Sequence, residues 1–340
     1  MNLNTPILEC VPNFSEGRDE HVIRKIVASI QNIKTVKVLH VDMGFAANRT
    51  VVTFAGEANA VIDAAYEAVK TAAENIDMTR HSGVHPRIGA TDVLPLVPIS
   101  GIGIDETVKW SYLLADRIGN ELNIPIYCYE KSALKPEREK LEWIRKGEYE
   151  GLVSKMLDPQ WEPDFGPSSF NSKAGATILG ARTFLIAYNI TLNSQSVEIA
   201  KAIAADIRES GKIITDANGN KIKVPGLFTH LKAIGWYINE YQKAQVSMNI
   251  TDFEKTPISE VFETVKKIAS SYNITISGSE LIGLLPLKAI MAAADFYVRQ
   301  YSNLKSLSEE QCIQLAVDKL GFNDIKPFIP AERIIEYLLV

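Results

Sequence analysis

Four residues suited to proton transfer and anion binding fall within one short stretch of the chain: Arg80, His81, His85 and Arg87. The chain has only five histidines, so two in one segment is a concentration. The stretch reads Asp77-Met-Thr-Arg-His-Ser-Gly-Val-His-Pro-Arg-Ile-Gly-Ala-Thr-Asp-Val-Leu-Pro-Leu-Val-Pro98. An imidazole titrates at ~6.5 when unperturbed and can therefore take and give a proton near neutral pH. Guanidinium groups match carboxylates as two-pronged donors. Gly83 opens backbone conformations closed to other residues, while Pro86 fixes its own φ and pushes His85 towards an extended geometry. The segment is thus neither a helix nor an ordinary strand. It holds an imidazole between two guanidinium groups just ahead of the apolar strand at 93–97, and His85 is the expected catalytic acid or base.

Other readings of the same residues exist. His-x-x-x-His is also a metal-ligand spacing, but it needs a helix to bring i and i+4 to one face, and Gly83 and Pro86 break any helix here. No metal is therefore expected. His81 reads equally well as a residue that ties the loop down. A solvated basic loop fits less well, because an apolar strand follows at once.

The elements that position this loop can be read outwards from it. Residues 7–14 form a buried strand, and a helix runs from about 20 to 31 with Val22, Ile23, Ile26, Val27 and Ile30 at helical spacing. Strands follow at 35–42 and 49–55, joined by a turn at 43–48 able to carry ligand contacts. An alanine-rich helix spans 58–75, and the strand at 91–99 comes after the loop. The order is β-α-β-β-α-β, a split unit of the ferredoxin-like kind. A helix at 105–122, a short strand at 124–129 and a peripheral helix at 136–146 extend it. Residues 161–175 are too rich in Pro, Gly and Ser for regular structure. Their rings, Trp161, Phe165 and Phe170, fit either a pocket for a flat heterocycle or an ordinary packed loop.

The second half repeats the first faintly. The strand at 183–192, the helix at 196–208, the strand at 245–251, the helix at 258–271 and the segment 279–286 follow the same succession. A tandem duplication with its boundary near 180 accounts for this, giving domains 1–180 and 181–340. The second copy has no counterpart of His81 or His85, so the chemistry is expected on the first half. Helices at 286–301 and 307–320 close the chain. Residues 216–223 read as an exposed hairpin built on Asn-Gly, and His230 reads as a structural histidine.

Composition bounds what the chain can be. With 340 residues, 46% hydrophobic and 23% charged, it has ample core for two domains. A net charge of −5 argues against general nucleic-acid binding, so an anionic ligand needs a local basic pocket. Cys10, Cys128 and Cys312 are scattered and odd in number, which fits reduced thiols in a cytoplasmic protein. No signal peptide is visible at the N-terminus, and no uncharged apolar run reaches the ~18 residues of a membrane span.

Several motifs, in order, resemble the formiminotransferase domain of the glutamate formimidoyltransferases, folate enzymes of histidine degradation. They are Glu9-Cys-Val-Pro-Asn-Phe-Ser-Glu-Gly17, Asn48-Arg-Thr-Val-Val-Thr-Phe54, Arg80-His81 with His85-Pro-Arg-Ile-Gly-Ala90, Asp164-Phe-Gly-Pro-Ser168, Ala233-Ile-Gly-Trp-Tyr237 and Leu284-Leu-Pro-Leu-Lys288. Any one tripeptide is weak; the ordered set spans nearly the whole chain. The resemblance implies two tandem α/β subdomains whose sheets face each other, helices outside, with a folate channel between. It places the catalytic histidine at His85, with Asp42 as its charge partner. Folate binding maps to Gly166, Pro167, Ser168, Ser169, Phe170, Asn171, Ser172, Lys173, Ala174 and Gly175. Arg80, His81, Arg87, Asn13 and Lys288 are the candidates for holding substrate. Tetrahydrofolate enters as co-substrate and formiminoglutamate as donor.

Relatives often carry charged residues where Ser82 and Val84 stand here, and the folate segment matches loosely at Asn171-Ser-Lys-Ala174. In animals a cyclodeaminase domain follows; this chain ends at Val340, so that activity is expected on a separate protein, a possible functional partner. A homodimer is expected by base rate and resemblance. Two other readings belong to the same scaffold: formyl transfer from N-formylglutamate, or ATP-dependent cyclisation of 5-formyltetrahydrofolate, the latter without a Gly-x-x-x-x-Gly-Lys-Ser/Thr loop to hold ATP. A third is a non-catalytic folate-binding subunit, which has no use for a poised base at His85.

Overall fold

In the computed structural model, residues 6–339 are described apart from 46, 84, 217–218, 240, 301–306 and 326. Several sequence expectations thus fall outside the described residues: the N-terminal reading at 1–5, Ala46 of the 43–48 turn, Val84 of the histidine loop, Asn218 of the Asn-Gly turn and Tyr301 of the 286–301 helix. The chain divides into two compact units that part between Thr183 and Phe184.

In the first unit the opening apolar run forms β1 (Ile7–Cys10) and β2 (Asn13–Phe14). It breaks at Val11-Pro12 because proline has no N–H for the ladder. Pairing continues across the break: the Val11 N–H donates to the Pro95 carbonyl at 3.3 Å, and the Pro12 carbonyl accepts from Val52 at 3.1 Å. Helix α1 (Glu20–Gln31) starts where the Asp19 carboxylate accepts from the N–H groups of His21 and Val22. There follow β3 (Val36–Gly44), β4 (Arg49–Glu57), α2 (Ala58–Asn75), β5 (Thr91–Ser100), α3 (Ile104–Leu122), β6 (Ile126–Cys128), α4 (Leu141–Arg145), α5 (Glu148–Met156) and β7 (Thr177–Ala181).

Across the sheet the strands run β3, β4, then β1 with β2, then β5, β7 and β6. Those up to β5 pair antiparallel, whereas β7 is parallel to both β5 and β6. Side chains alternate between the faces of a strand. Leu8, Cys10, Phe14, Val52, Phe54, Leu94 and Leu96 join Ile26, Val61, Val69 and Ile118 of the three long helices in one buried core. The positions between them, including Asn13 in register with Val51 and Val93, stand on the opposite face.

A second apolar cluster of Val93, Tyr127, Tyr129, Ile144, Leu152 and Ile178 packs α4 and α5 together with β5, β6 and β7. The sequence predicts one helix over 136–146; the structure has a 3-10 turn at Pro136–Arg138, then α4, then α5, which sequence reasoning missed. A helix as short as α4 cannot stand alone. Burial of Ile144 contributes ~1.5–3 kcal/mol, and Lys155 of α5 caps the helix end by donating to the carbonyls of Trp143, Ile144 and Lys146 at 3.1, 2.6 and 3.0 Å. The helix breaks because the Arg138 side chain turns inwards. Fully buried, it donates to Asp164 at 2.6 Å and to the Gln160 and Glu162 carbonyls, anchoring the irregular segment that follows.

The second unit runs β8 (Ile186–Leu192), α6 (Val197–Ile207), the hairpin β9 (Lys212–Thr215) and β10 (Lys221–Val224), β11 (Leu231–Ile238), β12 (Lys243–Ile250), α7 (Ile258–Ser271) and β13 (Ile276–Ile282). Helices α8 (Leu287–Gln300) and α9 (Glu309–Leu320) come after. Its four strands lie in the order β11, β12, β8, β13, all antiparallel. In both units, therefore, the first strand is flanked by the third and fourth, and the second lies outside the third. Each unit is a mixed α/β layer with the β-α-β-β-α-β succession, and the hairpin interrupts the second between α6 and β11.

Candidate active site

The loop between α2 and β5 carries the histidines, and three sets of contacts hold it. At one end Asn48, in the left-handed region at φ 48°, clasps it. The Asn48 side chain accepts from the Gly17 N–H at 3.0 Å and donates to the Ser82 carbonyl at 3.0 Å. Gly83 is needed here for close approach: a Cβ would meet the Ala47 carbonyl oxygen at 2.3 Å. At the other end Gly89 and Ala90 are bound to residues 174–176. The Ala90 N–H donates to Ala174 and the Ala176 N–H to Ile88, and a Cβ on Gly89 would lie 2.1 Å from the Ala176 carbonyl oxygen.

His81 is fully engaged. Its Nδ1 accepts from Arg87 Nε–H at 3.1 Å, so the hydrogen is on Nε2, which donates to the Asn48 carbonyl at 2.9 Å. Burial first, with Arg87 adding, holds its pKa below the ordinary 6.5. The imidazole is a neutral brace. Arg87 is equally committed, donating to Glu148 at 2.8 Å and to both oxygens of Glu150 at 2.9 and 2.6 Å. His81 and Arg87, both expected to hold substrate, are thus bonded to the protein's own groups. Around them lies a cleft of ≈ 460 Å³ lined by His81, Ser82, Gly83, Arg87, Gly147, Glu148 and Glu150.

His85 differs. Its Nδ1 lies 2.8 Å from the Pro86 carbonyl, which can only accept, so Nδ1 carries the hydrogen and Nε2 presents its lone pair. Nε2 has no hydrogen-bond partner among the described residues. Burial, then the positive charge of Arg49 and that of Arg145, hold the imidazole below its ordinary pKa, while the Pro86 bond and Asp92 pull the other way. A half-buried, neutral imidazole with a free nitrogen is a ready base at neutral pH.

Asp42, expected as the charge partner of the imidazole, is not the partner of Nδ1. That residue is exposed on β3, in register with Val51, and the structure does not bring it to Nδ1. A carboxylate bonded to the histidine loop is Asp92, which sequence reasoning did not single out and whose charge favours the protonated form of His85. It is fully buried; Oδ1 accepts from the Ile88 N–H at 2.9 Å, and Oδ2 accepts from Arg49 at 2.6 Å and Arg145 at 2.5 Å. An acidic residue inside a buried strand was the available signal, since such a group needs a cationic partner. Nothing in the sequence points to Arg145, which arrives from α4.

The remaining predicted residues fall as follows. Asn13 sits beside this cluster, its side-chain oxygen accepting from Arg49 Nε and Nη2 at 3.1 and 2.7 Å. Arg80 is exposed at the start of the loop. Lys288 belongs to the second unit, where it forms an exposed ion pair with Glu254 at 2.5 Å. The segment from Gly166 to Gly175 is irregular and lies along the histidine loop: the Lys173 carbonyl accepts from Met78, Gly89 bridges to Gly175, and Asn171 turns the chain through the N–H of Ala174. Within it Phe170 packs against Tyr149 at 5.6 Å between ring centroids. Trp161 and Phe165 pack inwards, on Tyr127 and Tyr112 respectively. Cys10 is buried in the core with its thiol pushed well above the ordinary range, chiefly by burial, so it is no nucleophile. Among the described residues no group of three or more His, Cys, Asp or Glu is placed to hold a metal ion. No described helix is long and apolar enough to cross a membrane.

A two-unit α/β protein with a poised histidine on the loop before its fourth strand is the class that the fold and site define. Comparison with known proteins narrows it. Residues 7–182 match the N-terminal subdomain of the formiminotransferase domain, and residues 187–340 match the formiminotransferase domain that follows it. The chain is 43% identical over 293 residues to a glutamate formimidoyltransferase of Streptococcus pyogenes, covering 86% of this chain and 93% of that one. A Thermoplasma acidophilum glutamate formimidoyltransferase is 40% identical over 295 residues, covering 86% and 92%. The mouse formimidoyltransferase-cyclodeaminase is 45% identical over 333 residues, which is 98% of this chain. The chain spans 60% of the length of that relative. The chain belongs to the formiminotransferase family.

Proposed function

We propose that the chain transfers the formimino group of N-formimino-L-glutamate to N5 of tetrahydrofolate, giving 5-formiminotetrahydrofolate and L-glutamate, a step of histidine degradation. The observation that carries this reading is the state of His85: hydrogen on Nδ1, lone pair on Nε2, and a pKa held below the ordinary value. The attacking amine must lose a proton and the leaving amine must gain one. His85 Nε2 takes the first proton as the bond to N5 forms. It returns it to the glutamate nitrogen as that carbon–nitrogen bond breaks, so one residue serves as base and then acid. The Pro86 carbonyl keeps Nδ1 protonated and so keeps Nε2 available throughout. Family membership and the likeness to two glutamate formimidoyltransferases support the choice of reaction.

Folate is assigned to the segment 166–175, whose irregular backbone runs beside Ile88–Ala90 and therefore beside the base. The test is incubation of the purified chain with tetrahydrofolate and N-formimino-L-glutamate, with glutamate and 5-formiminotetrahydrofolate followed by mass spectrometry. Both products form at catalytic rates. Absence of both, with tetrahydrofolate still bound, would overturn the reading.

A further inference from the structure

Two guanidinium groups converge on the single carboxylate of Asp92, and they are not equally satisfied. Arg49 gives Nη1 to Asp92 and both Nε and Nη2 to Asn13. Among the described residues the Arg145 side chain has one bond only, from Nη2 to Asp92 at 2.5 Å. Its Nε–H is buried without a partner among the described residues. The large majority of buried side-chain polar atoms in folded proteins are bonded, so a charged N–H left open can take one further acceptor.

Charge makes the same point. Asp92 neutralises one of the two cations and leaves one net positive charge in a largely buried cluster. The contrast with Arg87 is direct: there one guanidinium meets two carboxylates, Glu148 and Glu150. One arginine is thus over-matched and the other pair under-matched, within the reach of one connection between α4 and α5. The carboxylate they share is tied to the histidine loop itself, since Asp92 Oδ1 accepts from the Ile88 N–H three residues after His85, and both cations bear on the charge of that imidazole.

We propose that Arg145, held against Arg49 by their shared partner Asp92, binds the α-carboxylate of the formimino donor and so sets its orientation at His85. This rests on the reaction proposed above and names the residue that recognises its donor. In N-formimino-L-glutamate the nitrogen that receives the proton bears the α-carbon, and that carbon bears the carboxylate. A guanidinium beside the base can therefore hold the carboxylate while Nε2 faces the nitrogen, and a charge-assisted bond to a fork of N–H donors fixes the angle as well as the position.

The test compares two donors on two proteins. N-formimino-4-aminobutyrate keeps the amidine and the distal carboxylate but lacks the α-carboxylate. The wild-type chain prefers N-formimino-L-glutamate over it roughly 10- to 100-fold in kcat/KM, the size expected of one charge-assisted bond. Arg145→Gln lowers kcat/KM for the natural donor by a similar factor, mostly through KM, and handles the two donors nearly alike. Full discrimination by Arg145→Gln would overturn the proposal. Arg145→Lys, which keeps the charge and loses the fork, falls between and carries the test if the glutamine variant fails to fold.

Calorimetry with L-glutamate and 4-aminobutyrate separates this inference from the choice of reaction. If the wild type turned over neither donor, the reaction would be wrong. The carboxylate seat would still show as binding of L-glutamate in preference to 4-aminobutyrate, lost in Arg145→Gln. No preference in the wild type would contradict the seat itself.

Discussion

The two units share one order in their first four strands, and the connection into the fourth differs sharply between them. In the second, α7 reaches β13 through residues 272–275; in the first, α2 reaches β5 through residues 76–90. The longer connection holds His81, His85, Gly83 and Arg87 and is clasped by Asn48 at one end and by 174–176 at the other. Two particular polar clusters, one on each frame, are also satisfied differently. In the second unit Gln245 donates to Thr191 at 3.0 Å and Glu280 at 2.8 Å and accepts from Trp236 at 2.9 Å, so every polar atom of its amide is used. In the first unit Arg145 Nε and His85 Nε2 have no partner among the described residues. The frame supplies rigidity in both units, and the long connection of the first adds the imidazole that the second lacks.

This contrast can be broken by substitution, and the largest effect falls on His85. His85→Ala lowers turnover ~10²–10⁴-fold while tetrahydrofolate affinity stays within a few-fold of wild type, read by steady-state kinetics and calorimetry side by side. Next is Asp92→Asn, which strips the shared partner from two largely buried guanidinium groups. About 3–5 kcal/mol of stability is lost in denaturant titration; a change under ~1 kcal/mol would mean that the cations do not depend on Asp92. Smaller again is Gln245→Leu, which leaves Trp236, Thr191 and Glu280 short of a partner and costs ~1–3 kcal/mol. Its signature is that the pH dependence of turnover stays in place, whereas a shifted profile would put the second unit into the chemistry.

The smallest effect concerns His81. Its folded pKa is depressed, so below the ordinary value the unfolded chain binds the proton more readily than the folded chain. Stability therefore falls as pH drops through ~6.5 towards the folded pKa. A His81→Gln variant, which has no proton to take up there, shows a flatter dependence of thermal midpoint on pH between about 7 and 5. An unchanged slope would remove His81 from the account.

Much of this was legible in sequence, for identifiable reasons. Helices α2 and α7 begin and end where their apolar periodicity does, and the Gly83 and Pro86 signals correctly excluded a helix around His85. What stayed hidden was long-range. Strand β7 is a short apolar run with no alternation, because it lies parallel between β5 and β6 and is buried on both faces. Helix α5 carries only one fully buried side chain, Leu152, and so shows little periodicity. Arg145 meets Asp92 across more than fifty positions of chain, a pairing that neither local pattern betrays. The same limit covers Asp42: the resemblance puts a charge partner of His85 there, while the Nδ1 acceptor is the next residue's backbone carbonyl.

The most direct measurement is the pH profile of kcat/KM for formimino transfer by the wild-type chain and by His85→Ala. The account predicts a wild-type rate that rises with pH through one ionisation below 6.5 and then levels, because the neutral imidazole is the active form and burial with two nearby cations depresses its pKa. In His85→Ala that limb is gone and a low residual rate runs flat across the same range. A limb that persisted in the variant, or a wild-type ionisation well above 6.5, would contradict the assignment of His85 as the base.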